Sequence, residues 1–180
     1  GGPLPRWRFR VPDRSDLPAL DRYASLQTPS GDRRVVGYTE ASRGCKHLCR
    51  HCPVVPIYQG HFRVVPREVV LADVRAQVDA GARHITFGDP DFFNGVGHGV
   101  AIVEALAREC PGVSYDVTIK VEHLIKHTHR LRVLKETGCV LVTTAVESFD
   151  QRTLERFDKR HTPEDFEFVG ALDDPEFFED

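Results

Sequence analysis

The sequence predicts an α/β fold built on a parallel sheet, and three observations carry that reading. Four strand-like stretches alternate with helix-like ones from residue 34 to about residue 169, which is the pattern of right-handed βαβ units. The stretch 140–146, V-L-V-T-T-A-V, is nearly all apolar or β-branched, as strands covered on both faces are. The 180 residues, 41% hydrophobic and 28% charged, suit one globular domain with its own core.

Residues 1–33 hold Pro3, Pro5, Pro12, Pro18 and Pro29 with little periodicity, and read as an extended lead-in. Within it Trp7 and Phe9 alternate with Arg6, Arg8 and Arg10. That run suits a short edge strand or a segment packed on another part of the molecule, and is too short to argue for nucleic acid. Residues 34–41, R-V-V-G-Y-T-E-A, form the first strand and run into a cysteine loop. The loop then lies at the C-terminal end of a parallel strand, where α/β folds build their sites.

A helix follows over 66–80, with Pro66 in its first turn, a Val70, Val74, Val78 stripe and Gly81 as its stop. The second strand is 84–87. Gly95, Gly97 and Gly99 lack both the dinucleotide-binding spacing and the P-loop lysine, and read as a flexible approach to a helix over 100–108. The third strand spans 115–121 and is followed by a helix over 124–137, closed by Gly138. After the strand 140–146 come a helix over 151–157 and a last one with Thr162 as N-cap and Pro163 at its first position. The core therefore reads as 34–172, with an acidic tail over 173–180 whose Phe177 and Phe178 have no periodic partner.

The net charge of −3 implies no global pull toward nucleic acid or anionic membrane. No apolar run approaches the roughly 18 residues of a membrane helix, and no signal-peptide pattern opens the chain. Five cysteines, three of them crowded together, make a poor disulfide framework and favour a reducing, cytoplasmic setting. Cys110 and Cys139 read as small buried hydrophobes. The sequence has no Met, even at position 1, which reads as a trimmed chain or a fragment.

Residues 44–53 read G-C-K-H-L-C-R-H-C-P. Cys45, Cys49 and Cys52 follow a C-x-x-x-C-x-x-C spacing that lets one loop wrap a metal centre. Thiolates select iron–sulfur clusters or zinc. Three ligands with no fourth Cys beside them leave one position open, which suits catalysis. The alternatives are a plain thiol loop, or zinc with His47, His51 or His61 as fourth ligand.

This run resembles the signature of the radical S-adenosylmethionine (radical SAM) superfamily. The resemblance implies a partial parallel (βα) barrel, here about four of the six βα units, with the cysteines on three irons of a 4Fe–4S cluster. S-adenosylmethionine would chelate the fourth iron, with His51 against its adenine, where the family usually has an aromatic residue. An external flavodoxin- or ferredoxin-type donor would reduce the cluster, and reductive cleavage would yield a 5′-deoxyadenosyl radical. Gly88 and Asp89 stand loosely where the family binds the ligand's amino group; a plain turn is the other reading of Gly88-Asp89-Pro90. Lys120 and Glu122, alternating with Ile119 and Val121 at the third strand's end, either face the site or form a rim ion pair. Glu147 and Ser148, with the segment K-R-H-T-P-E-D-F after them, resemble members of the family related to proteins with a cobalamin-binding domain, and would lie near the ribose. Cobalamin is implied only if a separate domain supplies it. His123, His127 and His129 read as helix-surface histidines. Competing with the radical reading are a non-catalytic iron–sulfur or zinc module and an inactive fragment of such an enzyme.

Overall fold

A computed structural model describes residues 7–171. The acidic tail over 173–180, and Arg6 of the lead-in, lie outside the described residues. The strands are β1 (Ala24–Gln27), β2 (Arg33–Thr39), β3 (Ser42–Gly44), β4 (Phe62–Val64), β5 (His84–Phe87), β6 (Ser114–Thr118) and β7 (Cys139–Thr143). The helices are α1 (Val55–Tyr58), α2 (Arg67–Asp79), α3 (Val96–Glu109), α4 (Val121–Lys126), α5 (Leu131–Glu136), α6 (Gln151–Phe157) and α7 (Pro163–Ala171). The main sheet has the order β1-β2-β5-β6-β7 and is parallel except for β1. It curls into part of a barrel, as the α/β reading expects.

The core follows from the patterning. Val70 and Val74 are buried on α2, and Ile102, Val103 and Leu106 on α3. Between them Phe87, at the end of β5, packs its ring 5.0 Å from Phe92 and 5.7 Å from Tyr115. Truncating such an aromatic typically costs about 3–5 kcal/mol. Gln77 of α2 clasps β2: its Oε1 accepts from Tyr38 N at 2.8 Å and its Nε2 donates to Tyr38 O at 3.0 Å.

Several elements differ from their sequence reading. The lead-in is extended but ends in β1, which forms a hairpin with β2 through the turn Thr28–Asp32, closed by a Thr28 N–H to Asp32 O bond of 2.9 Å. It also packs: Arg14 pairs with buried Asp73, and Arg63 of β4 lies 4.3 Å over the Trp7 ring. The glycine run is no flexible approach, because Gly97 and Gly99 lie within α3. A Cβ on Gly99 would come within 2.9 Å of the Phe92 ring, so the glycine admits close packing there.

The single helix over 124–137 is instead α4, a 3-10 turn and α5. Thr128 Oγ1 donates to the carbonyls of Leu124 and Ile125, at 3.0 and 2.8 Å, and such back-bonding competes with the helical ladder. The strand 115–121 ends at Thr118, so Glu122 falls on α4. The strand 140–146 is not covered on both faces: β7 ends the sheet, and Val140 and Leu141 are each 53% exposed.

Candidate metal and cofactor site

The cysteine loop is held by a hairpin that period-2 patterning missed, because β3 and β4 have three residues each. Gly44 pairs with Phe62 at the base of the loop. Its φ is +90°, and a Cβ there would lie 2.4 Å from the His61 carbonyl, so only glycine fits. The loop is strapped at its far side, where Arg50 N–H donates to Phe157 O at 3.0 Å.

Cys45, Cys49 and Cys52 are all free thiols and all line one pocket of ≈ 140 Å³. Burial pushes the Cys45 thiol up from its ordinary value, against the His47 backbone N–H. A larger groove, ≈ 640 Å³, runs along β7 among apolar side chains such as Leu131, Leu134 and Val142. The smaller pocket is the chemical one, because it gathers the thiols with charged side chains.

The structure brings some sequence-predicted site residues together and leaves others out. His51, Lys120 and Glu147 line the cysteine pocket. His51 Nε2 lies 3.0 Å from Glu147 Oε1, and its ring packs 4.8 Å from Phe157. Glu147 also pairs with Lys159 Nζ at 3.3 Å, and Lys159 is a buried pocket residue that sequence reasoning did not single out. Burial opposes ionisation of Glu147, but Lys159 and His51 together hold its carboxyl below the usual range. Its φ of +72° lies in the left-handed region that side-chain-bearing residues adopt uncommonly.

Lys120 is nearly buried and pairs with Glu122 at 2.7 Å. Lys120 lines the pocket, while Glu122 does not.

Gly88, Asp89 and Ser148 do not line the pocket. A Cβ on Gly88 would meet the Tyr38 hydroxyl. Asp89 braces the turn from β2 to β3 instead. Its carboxylate accepts from Ala41 N at 2.8 Å and from Ser42 N and Oγ, both at 2.6 Å. Burial pushes its pKa up to about 6 despite those bonds. Ser148 Oγ accepts from Asp150 N at 3.0 Å, in the turn before α6.

Of the histidines read as surface residues, His123 is buried, 2% exposed, and meets His47 and Asp91 behind the cysteine loop. Asp91 escaped the sequence reading because it sits inside what looked like a turn; its only signal was the D-P-D repeat. His61, a candidate zinc ligand, faces its own turn, with Nδ1 3.1 Å from Tyr58 O. Cys110 is buried as expected, and Cys139 is half-buried at the edge of the core.

A parallel curled sheet, with three thiols in C-x-x-x-C-x-x-C spacing past its first parallel strand, points to one family. The radical SAM superfamily model matches residues 39–172. The chain belongs to the radical SAM superfamily. It is 30% identical over 121 residues to the hopanoid C-3 methylase of Methylococcus capsulatus, covering 67% of this chain and 23% of that protein. It is 31% identical over 139 residues to the tRNA-2-methylthio-N(6)-dimethylallyladenosine synthase of Chlorobium phaeobacteroides, covering 69% of this chain and 29% of that protein. The chain thus spans about a quarter of the length of these relatives.

Among solved structures, its fold resembles the radical SAM methyltransferase TsrM from Kitasatospora setae, with cobalamin and a [4Fe-4S] cluster bound (TM-score 0.65, 17% identity, 77% of this chain and 27% of that one). It also resembles the cobalamin-dependent radical SAM enzyme OxsB (TM-score 0.60, 18% identity, 78% and 26%). At these identities the likeness is one of fold. Radical SAM membership makes the protein an enzyme and implies a 4Fe–4S cluster and S-adenosylmethionine. No helix among the described residues is long and apolar enough to cross a membrane.

Proposed function

We propose that this chain binds a 4Fe–4S cluster through Cys45, Cys49 and Cys52 and reductively cleaves S-adenosylmethionine. The observation that carries the reading is that three free thiols line one pocket.

When bound, the cluster supplies the electron that breaks a carbon–sulfur bond of the sulfonium. The protein's residues bind and orient. Gly44 lets the loop turn back on itself, and Lys120 and Lys159 bring buried positive charge to the pocket, suited to a ligand carboxylate and to an anionic cluster. Glu147, held ionised by Lys159 and His51, can accept from ribose hydroxyls. His51 offers a flat ring beside it. Gly88, Asp89 and Ser148 support the site from outside the pocket.

The core over 34–172 carries this function, preceded by the lead-in over 1–33, in which Trp7 and Arg14 pack against Arg63 and Asp73. Five free cysteines suit a reduced, cytoplasmic setting with a flavodoxin- or ferredoxin-type donor. The relatives' names point the whole protein toward methyl or methylthio transfer, on a substrate set by parts beyond this core. Cobalamin would need a further domain. A second reading rests on β7: among the described residues no strand covers its outer edge, so this stretch alone forms an open core, inactive until that edge is covered.

The test is anaerobic reconstitution with iron and sulfide, followed by electron paramagnetic resonance with and without S-adenosylmethionine. The expected result is a cluster signal that shifts on adding the ligand and is lost in Cys45→Ala. A signal unmoved by the ligand overturns the proposal.

A further inference from the structure

We propose that His47, Asp91 and His123 form a second metal site, separate from the cysteines, that takes a divalent ion of the zinc or iron(II) type. The three residues come from three elements: the cysteine loop, the turn after β5, and the first turn of α4. His123 Nδ1 lies 2.7 Å and His47 Nε2 3.4 Å from the same Asp91 oxygen, Oδ2. All three ligand atoms lie within 4.8 Å of one another.

Burial makes the cluster unusual. Asp91 and His123 are each 2% exposed and His47 is 8% exposed. None of the three facing atoms has a well-formed hydrogen bond. Leaving a buried polar atom unsatisfied is costly, and more so for a charged one. The other oxygen of Asp91 is occupied, accepting from Phe93 N and Lys120 N at 3.3 Å each. That division fixes the carboxylate and aims Oδ2 at the two rings.

One ion would satisfy all three atoms at once. Nitrogen and oxygen ligands at about 2.0–2.2 Å from an ion sit about 3–3.5 Å apart, close to the present spacing. Two imidazoles and one carboxylate suit zinc or non-haem iron(II), and leave a position open. His47 and Asp91 also line the cysteine pocket. His47 Nδ1 faces Lys120 Nζ at 3.4 Å, with Glu122 Oε2 further off at 3.8 Å.

The test uses Co²⁺ as the probe on the full chain with Cys45, Cys49 and Cys52 all changed to Ala. Removing those thiols makes the outcome independent of the cluster reading. The expected result is one bound Co²⁺ per chain, with visible d–d absorption and no thiolate charge-transfer band. Asp91→Asn, which keeps an acceptor for the backbone bonds, should raise the Kd at least tenfold, as should His123→Ala. His129→Ala, on the exposed neighbouring turn, should leave it unchanged. Circular dichroism verifies that each variant is folded. No Co²⁺ uptake, uptake with thiolate bands, or a Kd indifferent to Asp91→Asn in folded protein overturns the proposal.

Discussion

Asp89 and Asp91 flank Pro90, yet their surroundings move their acidities in opposite directions. Burial raises Asp89 to about 6, even though it accepts from Ala41 and Ser42. Burial opposes ionisation of Asp91 too, but His123 and His47 outweigh it and hold that carboxyl well below the usual range. Between pH 4 and 6, folded Asp89 keeps a proton that the unfolded chain has released. Its contribution to stability is therefore complete below about pH 4 and lost as pH rises through 6. Relative to Asp89→Asn, which does not titrate, the parent should lose on the order of 3 kcal/mol over that window. Urea unfolding of both proteins at pH 4 and pH 7 measures it, and a constant difference refutes the shift. The sequence showed two acids in a turn. It did not show which would brace the backbone and which would face histidines, because that depends on a strand and a helix distant in the chain.

At the scale of elements, the hairpin β3–β4 decides whether the cysteine loop closes. Its strands are too short for an alternating pattern, so only Gly44 hinted at a special backbone there. Gly44→Ala puts a methyl group into the His61 carbonyl at a φ of +90°, which should cost about 1–3 kcal/mol. We expect a lower melting temperature and less iron bound per chain after reconstitution. Full iron loading with an unchanged melting temperature would show that the loop closes without the hairpin. The split of α4 from α5 had a signal in hindsight, since Thr128 can bond back to the preceding turn. Threonine is common within helices, however, and its neighbours alone did not mark the break.

On the scale of the whole molecule, β7 ends the described sheet with Val140, Leu141 and Val142 in the open. An apolar strand edge templates pairing with another chain. The 180-residue chain in isolation should therefore self-associate, and Val140→Lys should shift it toward monomer in sedimentation velocity without lowering its melting temperature by more than a few degrees. Equal association of both proteins would mean that the edge is already covered.

From the sequence alone came the α/β alternation, the extents of α2 and β5, and the three cysteines with their spacing. Each is local: a periodicity or a motif is complete within about fifteen residues of chain. Tertiary structure decided that β7 is an edge, that Asp89 is a brace, that Lys159 reaches the pocket, and that His47, Asp91 and His123 converge. Those facts depend on burial and on partners such as His47 and His123, 76 positions apart, and desolvation and charge pairing act only once folding has brought such residues together.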